Sequence, residues 1–317
     1  MDIRTKYAPV VAFAYNRADK IINCLHSIEK NPEVKETDLV IYCDGAKSEK
    51  GKPAVEATRL ALREYIDKSS FKTVSLIEAP ENKGLAKSII DGVTDVIERY
   101  GRAIVVEDDL IVSQSFLSYM NGALEYYKDN SRIGAVSAYT YPLRSLKDYD
   151  RDIYVMHKGD CWGWATWNDR WDKAAWADVD FDSYFRDKEL RKRFEKTESG
   201  WDLLMLLQSQ GKISSWAVRW VYYLMKRDLL TVYPTRSYVT NAGFDGSGTH
   251  SNKSEENHYF TALATDMKRT RFEELEPNEV FEKEAARFPK NGTKAFFKYY
   301  LKRCYVKLFD VKRIIDR

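Results

Sequence analysis

The run Ala103-Ile-Val-Val-Glu-Asp-Asp-Leu110 passes from apolar to acidic within eight residues. Ala103–Val106 is a short apolar segment of the kind that forms a strand buried on both faces, and it leads directly into Glu107, Asp108 and Asp109. Three adjacent carboxylates repel one another, so the triplet calls for a cation. A hard divalent ion takes carboxylate oxygens and bridges a diphosphate at the same time. A solvated acidic turn is the plain alternative. The apolar run weighs against it, because it places the triplet at the end of a sheet strand, where ligands bind.

Outward from this run, the same alternation recurs. Pro9–Ala14, Leu39–Cys43, Thr73–Glu78 and Ile133–Ala138 read as further strands. Between them lie helical patterns. Ile21, Leu25 and Ile28 share a face, Pro53 opens a helix that continues through Ile66, and a helix after Ser113 carries Phe116, Met120 and Leu124. Asn82 is placed to cap a helix that buries Leu85, Ile89, Val93 and Val96, with Gly84 helping to shape its start. Strands alternating with helices predict an α/β fold with a mostly parallel sheet covered on both faces. Asn16-Arg17, Asp44 and the triplet each follow a strand, so parallel neighbours would bring all three to one sheet edge. After residue 138 the pattern changes. Asp160-Cys-Trp-Gly-Trp-Ala-Thr-Trp167 is aromatic, residues 182–196 form a charged helical stretch, and Trp201-Asp202 opens an apolar helix to Leu207. Segments with Trp216, Trp220 and a Tyr233-Pro234 turn follow, and then the glycine-rich Gly243-Phe-Asp-Gly-Ser-Gly-Thr-His250.

Composition limits the function classes. A chain of 317 residues that is 44% hydrophobic and 14% aromatic supports one large globular domain. The net charge of +3 is too small to indicate nucleic-acid binding. Residues 290–317 hold nine Lys and Arg against two Asp, a local +7, which leaves a mildly acidic body. The four cysteines show no C-x-x-C spacing, so neither a zinc site nor a disulfide framework is indicated. The apolar run Val10 to Tyr15 is too short for a secretory signal, and no apolar stretch approaches a membrane span. A reducing, cytoplasmic setting is the expectation. Eight Trp and twenty-one Tyr suit a large core, and equally the flat rings on which pyranoses stack.

Taken in order, the motifs resemble those of N-acetylglucosaminyltransferase I, an inverting nucleotide-sugar glycosyltransferase of the GT-A (Rossmann-like) fold. Ala103–Leu110 with Phe116 is similar to that family's metal-binding segment. Asn16-Arg17 followed by Cys24-Leu25 resembles its donor-binding first turn, with Asn16 where the family has Asp. Asp44, Val136-Ser137-Ala138, Cys161-Trp-Gly-Trp164 and Trp201-Asp202 have counterparts, Cys161 and Trp162 being departures from a Gly-x-Gly-Trp pattern. The likeness spans roughly residues 8–250 as scattered motifs, and it extends to bacterial transferases that build surface polysaccharides. It implies that Asp109 ligates Mn²⁺ (or Mg²⁺), which holds the diphosphate of the donor, a UDP-sugar. Asp108 would lie near the ribose or diphosphate, Glu107 near the transferred sugar, and Arg17 and Asp44 near the nucleoside. Residues 1–138 then form the donor half, 139–270 the acceptor and catalytic half, and 271–317 a basic helical tail.

An inverting transfer needs a base for the acceptor hydroxyl. Asp202, carried by the Trp-Asp segment, is the expected one; a helix N-terminal Asp beside a core Trp is the plain alternative, and Asp178, Asp180 and Asp182 are rivals in a charge-rich stretch. Trp162 or Trp164 would floor the acceptor site, at least one of Trp162, Trp164 and Trp167 being core. Gly243, Gly246 and Gly248 suit a lid, and His250 would approach the metal or diphosphate, or serve only structure. In the tail, Phe297, Leu301, Cys304, Leu308, Val311 and Ile315 form one apolar stripe opposite Lys294, Lys298, Lys302, Lys312 and Arg313. That pattern suits an anionic membrane surface at the inner face of the plasma membrane, where lipid-linked glycan acceptors are found, or packing against protein. Two other functions compete. Nucleotidyl transfer needs a glycine-rich loop after the first strand, and Ala14–Asp19 holds no glycine. A carbohydrate-binding protein without turnover leaves the triplet and Asp202 without a task.

Overall fold

In the computed structural model, residues 5–172, 179–198, 200–243, 259–266, 268–287 and Leu301 are described. Four parallel strands, β1 (Val10–Ala14), β2 (Asp38–Cys43), β3 (Thr73–Glu78) and β4 (Arg102–Glu107), lie in the order β3-β2-β1-β4. Three helices make the crossovers: α1 (Ala18–Glu29), α2 (Lys52–Ile66) and α3 (Leu85–Tyr100). The period-2 geometry of a strand sends alternate residues of β1 into two layers. Val10, Ala12 and Ala14 pack with Ile21, Leu25 and Leu62 of α1 and α2, whereas Val11 and Phe13 pack with Ile89, Val93 and Val96 of α3. Every residue of β1 is therefore buried, as its unbroken apolar sequence predicts. Gly92 allows α3 this close approach, since a Cβ there would stand 2.9 Å from the Phe13 and Tyr42 rings.

The chain continues through β5 (Leu110–Val112), α4 (Phe116–Tyr126), β6 (Ile133–Ser137), β7 (Ile153–Met156) and β8 (Trp164–Trp167). Helices α5 (Phe181–Arg186), α6 (Lys188–Thr197), α7 (Trp201–Ser209) and α8 (Trp216–Lys226) follow, then β9 (Leu230–Pro234), β10 (Val239–Asn241) and α9 (Glu279–Arg287). Strands β8, β6, β9 and β7 extend the first four into one eight-stranded sheet. β8 runs antiparallel to both β4 and β6, β9 is parallel to β6, and β7 is antiparallel to β9. The sheet is thus mostly parallel and mixed only in its second half, which shares the core of the first.

Several local expectations are corrected. Asn82 does not cap α3, which starts after Gly84 (φ 76°); the Asn82 amide instead donates to Asp44 Oδ2 at 3.0 Å and to the Gly45 carbonyl at 2.8 Å. Tyr233-Pro234 is not a turn but the end of β9, where Pro234 pairs with Ile153 of the edge strand. The charged stretch is two helices, split at Asp187, whose carboxylate caps α6 by accepting from the Leu190 amide at 2.9 Å. No described helix is long and apolar enough to cross a membrane.

Candidate functional site

Parallel pairing of β1 with β2 and β4 sets the residues after each strand side by side. Arg17, between β1 and α1, reaches the triplet. Its Nε donates to Asp108 Oδ2 at 3.1 Å, and its Nη2 donates to Asp108 Oδ1 and to Asp109 Oδ2, the latter at 3.2 Å. The remaining nitrogen, Nη1, is buried and has no partner. Asp44 is at the same edge, but both its oxygens are engaged. Oδ1 accepts from the amides of Gly45 and Lys83, each at 2.8 Å, and Oδ2 accepts from the Gly84 amide at 2.9 Å and from Asn82. Asp44 therefore locks the β2 and β3 exit loops together. Asn16, beside Arg17, is exposed.

The acidic groups pay an electrostatic cost for this setting. Burial pushes the Glu107 carboxyl up to about 8, helped by repulsion from Asp109 and Asp108 and opposed by Arg17. Burial likewise pushes Asp108 up to about 6, against the hydrogen bond from Arg17. The guanidinium alone leaves this cluster short of positive charge.

Asn241, which the sequence did not single out, and Gly243, expected there as part of a lid, complete the surroundings. β10 pairs antiparallel with β5, which sets Asn241 opposite Leu110, next to Asp109. A Cβ on Gly243 would stand 2.7 Å from Asp109 Oδ2 and 2.9 Å from Asn241 Oδ1. Asn241 Oδ1 accepts from the Gly243 amide at 2.6 Å and Asp109 Oδ2 from Arg17 Nη2 at 3.2 Å, and both oxygens also face the space that the missing side chain of Gly243 leaves open. A carboxylate and an amide oxygen around such a space fit a hard divalent cation. Among the described residues no group of three or more His, Cys, Asp and Glu could hold a metal ion, so further ligands would come from a substrate or water.

Two further acidic residues, Asp160 and Glu198, lie around Cys161. Asp160 accepts from Ser137 Oγ and from the Cys161 amide, each at 2.7 Å, and burial pushes its carboxyl up to about 6 against those bonds. Glu198 forms an ion pair with the buried Lys158, whose ammonium lies 4.7 Å from the centre of the Tyr141 ring. Cys161 sits within electrostatic reach of Asp160, Glu107, Asp109 and Glu198 together. Beside it the half-buried Trp162 meets Tyr139 edge-on at 4.8 Å and Tyr259 at 5.9 Å. Trp164 does not floor this site: it is 1% exposed within β8, its ring stacked on Trp171 and Trp216, and belongs to the core.

Asp202 stands apart. Arg191 grips both its oxygens, at 2.9 and 2.8 Å, and the Tyr184 hydroxyl donates to Oδ1 at 2.9 Å. These partners belong to the helical cluster of α5 to α8, and no described contact joins Asp202 to the triplet. Asp180 caps α5 by accepting from the Ser183 amide at 3.0 Å. Asp178, Gly246, Gly248, His250 and, Leu301 apart, the tail stripe lie outside the described residues.

No protein-family model matches the chain. Over 185 residues it is 23% identical to an Arabidopsis thaliana alpha-1,3-mannosyl-glycoprotein 2-beta-N-acetylglucosaminyltransferase, covering 54% of this chain and 41% of that protein. The match therefore spans about two fifths of the length of this curated relative. Among solved structures, Staphylococcus aureus TarS (residues 1–349) is similar with a TM-score of 0.44 at 11% identity, covering 75% of this chain and 61% of that one. GalNAc-T7 with UDP, GalNAc and Mn²⁺ is similar with a TM-score of 0.47 at 10% identity, covering 76% and 47%.

Proposed function

We propose that this chain transfers a sugar from a nucleotide-sugar donor to an acceptor hydroxyl, with inversion and with a divalent cation. The observation that carries the reading is the Arg17–Asp108–Asp109 cluster at the carboxyl edge of β1 and β4, with Arg17 Nη1 buried and unpartnered. Among the described residues that nitrogen has no hydrogen-bond partner, and it suits a diphosphate oxygen. Asp109 and Asn241 would hold Mn²⁺ or Mg²⁺ in the space beside Gly243. Such an ion, when bound, stabilises the charge that develops on the departing diphosphate. Asp108 holds Arg17 in place, and Glu107, at the end of β4, faces the transferred sugar.

Asp202 is the proposed base, on the strength of its Trp-Asp segment. For it to accept the acceptor's proton, Arg191 must yield one oxygen. A second reading assigns the base to Asp160, because that carboxylate adjoins Cys161, which is within electrostatic reach of Glu107 and Asp109, and its raised pKa suits proton transfer near neutrality. Trp162 supplies an aromatic face for an acceptor sugar. The relative's name supports N-acetylglucosamine as the transferred sugar; UDP as the nucleotide and a role in bacterial surface-polysaccharide assembly rest on the sequence resemblance. The test is release of free nucleoside diphosphate from a panel of UDP- and GDP-sugars, with Mn²⁺ or with chelator. Metal-dependent release by the native chain, reduced by orders of magnitude in Asp109→Ala, is expected. Equal turnover by that variant would overturn the assignment of Asp109.

A further inference from the structure

Arg17 and Lys20 stand three residues apart at the start of α1, where the Arg17 carbonyl accepts a helical bond from the Ile21 amide at 3.1 Å. That spacing puts the two cationic side chains on one side of the helix. Arg17 reaches the triplet. The half-buried Lys20 reaches the segment after β10, where its ammonium donates to the Ala242 carbonyl at 3.1 Å. A charge-assisted bond of this kind is stronger than a neutral one. Ala242 is also held through its amide, which donates to the Asp109 carbonyl at 2.7 Å. It is thereby strung between α1 and the backbone of the triplet.

The neighbours of Ala242 are the residues that shape the candidate ion space. Asn241 contributes Oδ1, and Gly243 contributes the missing side chain. β10 is only three residues long, so its own ladder restrains its end weakly, and the two bonds to Ala242 add the restraint that places Asn241 Oδ1. Asp109 Oδ2, the facing oxygen, is held by Arg17 at 3.2 Å. One turn of α1 therefore grips both oxygens, one directly and one through Ala242. An ammonium has no lone pair and cannot itself ligate a cation, so what Lys20 contributes is position.

The geometry points to Lys20 as a positioning residue that fixes the spacing of Asn241 Oδ1 and Asp109 Oδ2 and so makes the space select Mg²⁺ over Ca²⁺. The inference rests on the reading of Asp109 and Asn241 as cation ligands. Mg²⁺ demands short bonds in near-ideal octahedral geometry, whereas Ca²⁺ takes longer bonds in a flexible shell. Oxygens held in place discriminate between the two, and slack in either lets Ca²⁺ draw its ligands outward. Removing the Lys20 charge has a second effect, since one fewer cation nearby favours any divalent ion. That effect depends on the charge of the ion and is common to Mg²⁺ and Ca²⁺. The ratio of the two affinities cancels it and isolates position.

Competition against Mn²⁺ on the full chain, with free Mn²⁺ followed by electron paramagnetic resonance, measures both affinities without turnover. The native chain should prefer Mg²⁺. Lys20→Met should move the ratio toward Ca²⁺ by about tenfold, and Lys20→Arg, which keeps a charged donor, should hold it nearer the native value. The metal-free melting temperature of Lys20→Met should match the native one. An unchanged ratio in Lys20→Met, while Asp109→Ala abolishes Mn²⁺ binding, overturns the role of Lys20 alone, as does a native preference for Ca²⁺. A native chain that binds no Mn²⁺, or an Asp109→Ala chain that binds it equally well, overturns the ligand reading and this inference with it. A Lys20→Met chain that melts well below the native one without metal also overturns it, because Lys20 then supports the fold at large.

Discussion

Replacing Arg17 by methionine keeps the length of the side chain and removes the guanidinium that holds Asp108 and Asp109. The side chains of Arg17 and Asp108 are 22% and 9% exposed, so the pair is largely removed from water. Deleting one partner of a buried ion pair costs about 3–5 kcal/mol, and the partial exposure of Arg17 favours the lower end. At roughly 2 °C per kcal/mol for a domain of this size, the melting temperature at neutral pH should fall by about 6 °C. The pH dependence has a definite sign. Asp108 titrates at about 6 in the fold against an ordinary 3.8, so its contribution to stability is full below pH 3.8 and is lost as pH rises through 6. The hydrogen bond from Arg17 opposes that rise. Without it the folded pKa climbs further, the loss continues to higher pH, and the deficit relative to the native chain widens above pH 6. Mn²⁺ should replace the missing charge and raise the melting temperature of the variant more than that of the native chain. Differential scanning fluorimetry at pH 5 and pH 8, with and without Mn²⁺, measures all of this. An equal deficit at both pH values, or equal Mn²⁺ shifts, would refute a charge-compensating role for Arg17.

Gly243→Ala places a methyl within 3 Å of Asp109 Oδ2 and Asn241 Oδ1, and calorimetry should find metal-dependent donor affinity lowered about tenfold. Asp202→Asn and Asp160→Asn separate the two proposed bases: transfer should fall about a hundredfold or more in the variant that loses the base, with donor affinity little changed. NMR of the product linkage must also show inversion, and a retained configuration excludes both. Truncation after Phe288 tests the basic tail as a membrane anchor. The shortened chain should stay folded and active on a soluble acceptor but no longer sediment with anionic liposomes, whereas a fall in melting temperature indicates that the stripe packs on protein.

The first half of the fold was legible because most of its strands, β1, β2, β4 and β6, are buried on both faces. Such strands read as largely unbroken apolar runs and fall where those runs lie, whereas the edge strand β3 alternates polar and apolar residues, as its half-exposed burial requires. β8 escaped notice because Trp164 to Trp167 reads equally well as a substrate platform, and its register is set by β4 and β6, which are distant in sequence. β10 is too short to carry a pattern, and Asn241 gains its place only through pairing with β5. The convergence of Arg17 with the triplet followed from strand order, but the direct ion pair did not, since it depends on a side chain crossing between strands. Asp160 had no signal of its own, being one carboxylate among aromatics. The partners of Asp202 lie 11 and 18 residues away on two other helices, so the contacts depend on how those helices pack and not on the periodicity of any one of them.

The reversed direction of β8 has a consequence for how such a chain can change its substrates. The parallel strands deliver loops to the reactive edge as they leave the sheet, and those after β1, β2 and β3 must also turn into the packed helices α1, α2 and α3. β8 alone among the neighbours of β4 and β6 comes in from that edge, so Asp160 to Gly163 arrives there before the strand begins. That segment is bound to no crossover helix. Its length and aromatic content can vary while Arg17, Asp108 and Asp109 stay in place, so under the proposed function the approach to β8 would be the part free to change acceptor choice without disturbing the donor residues.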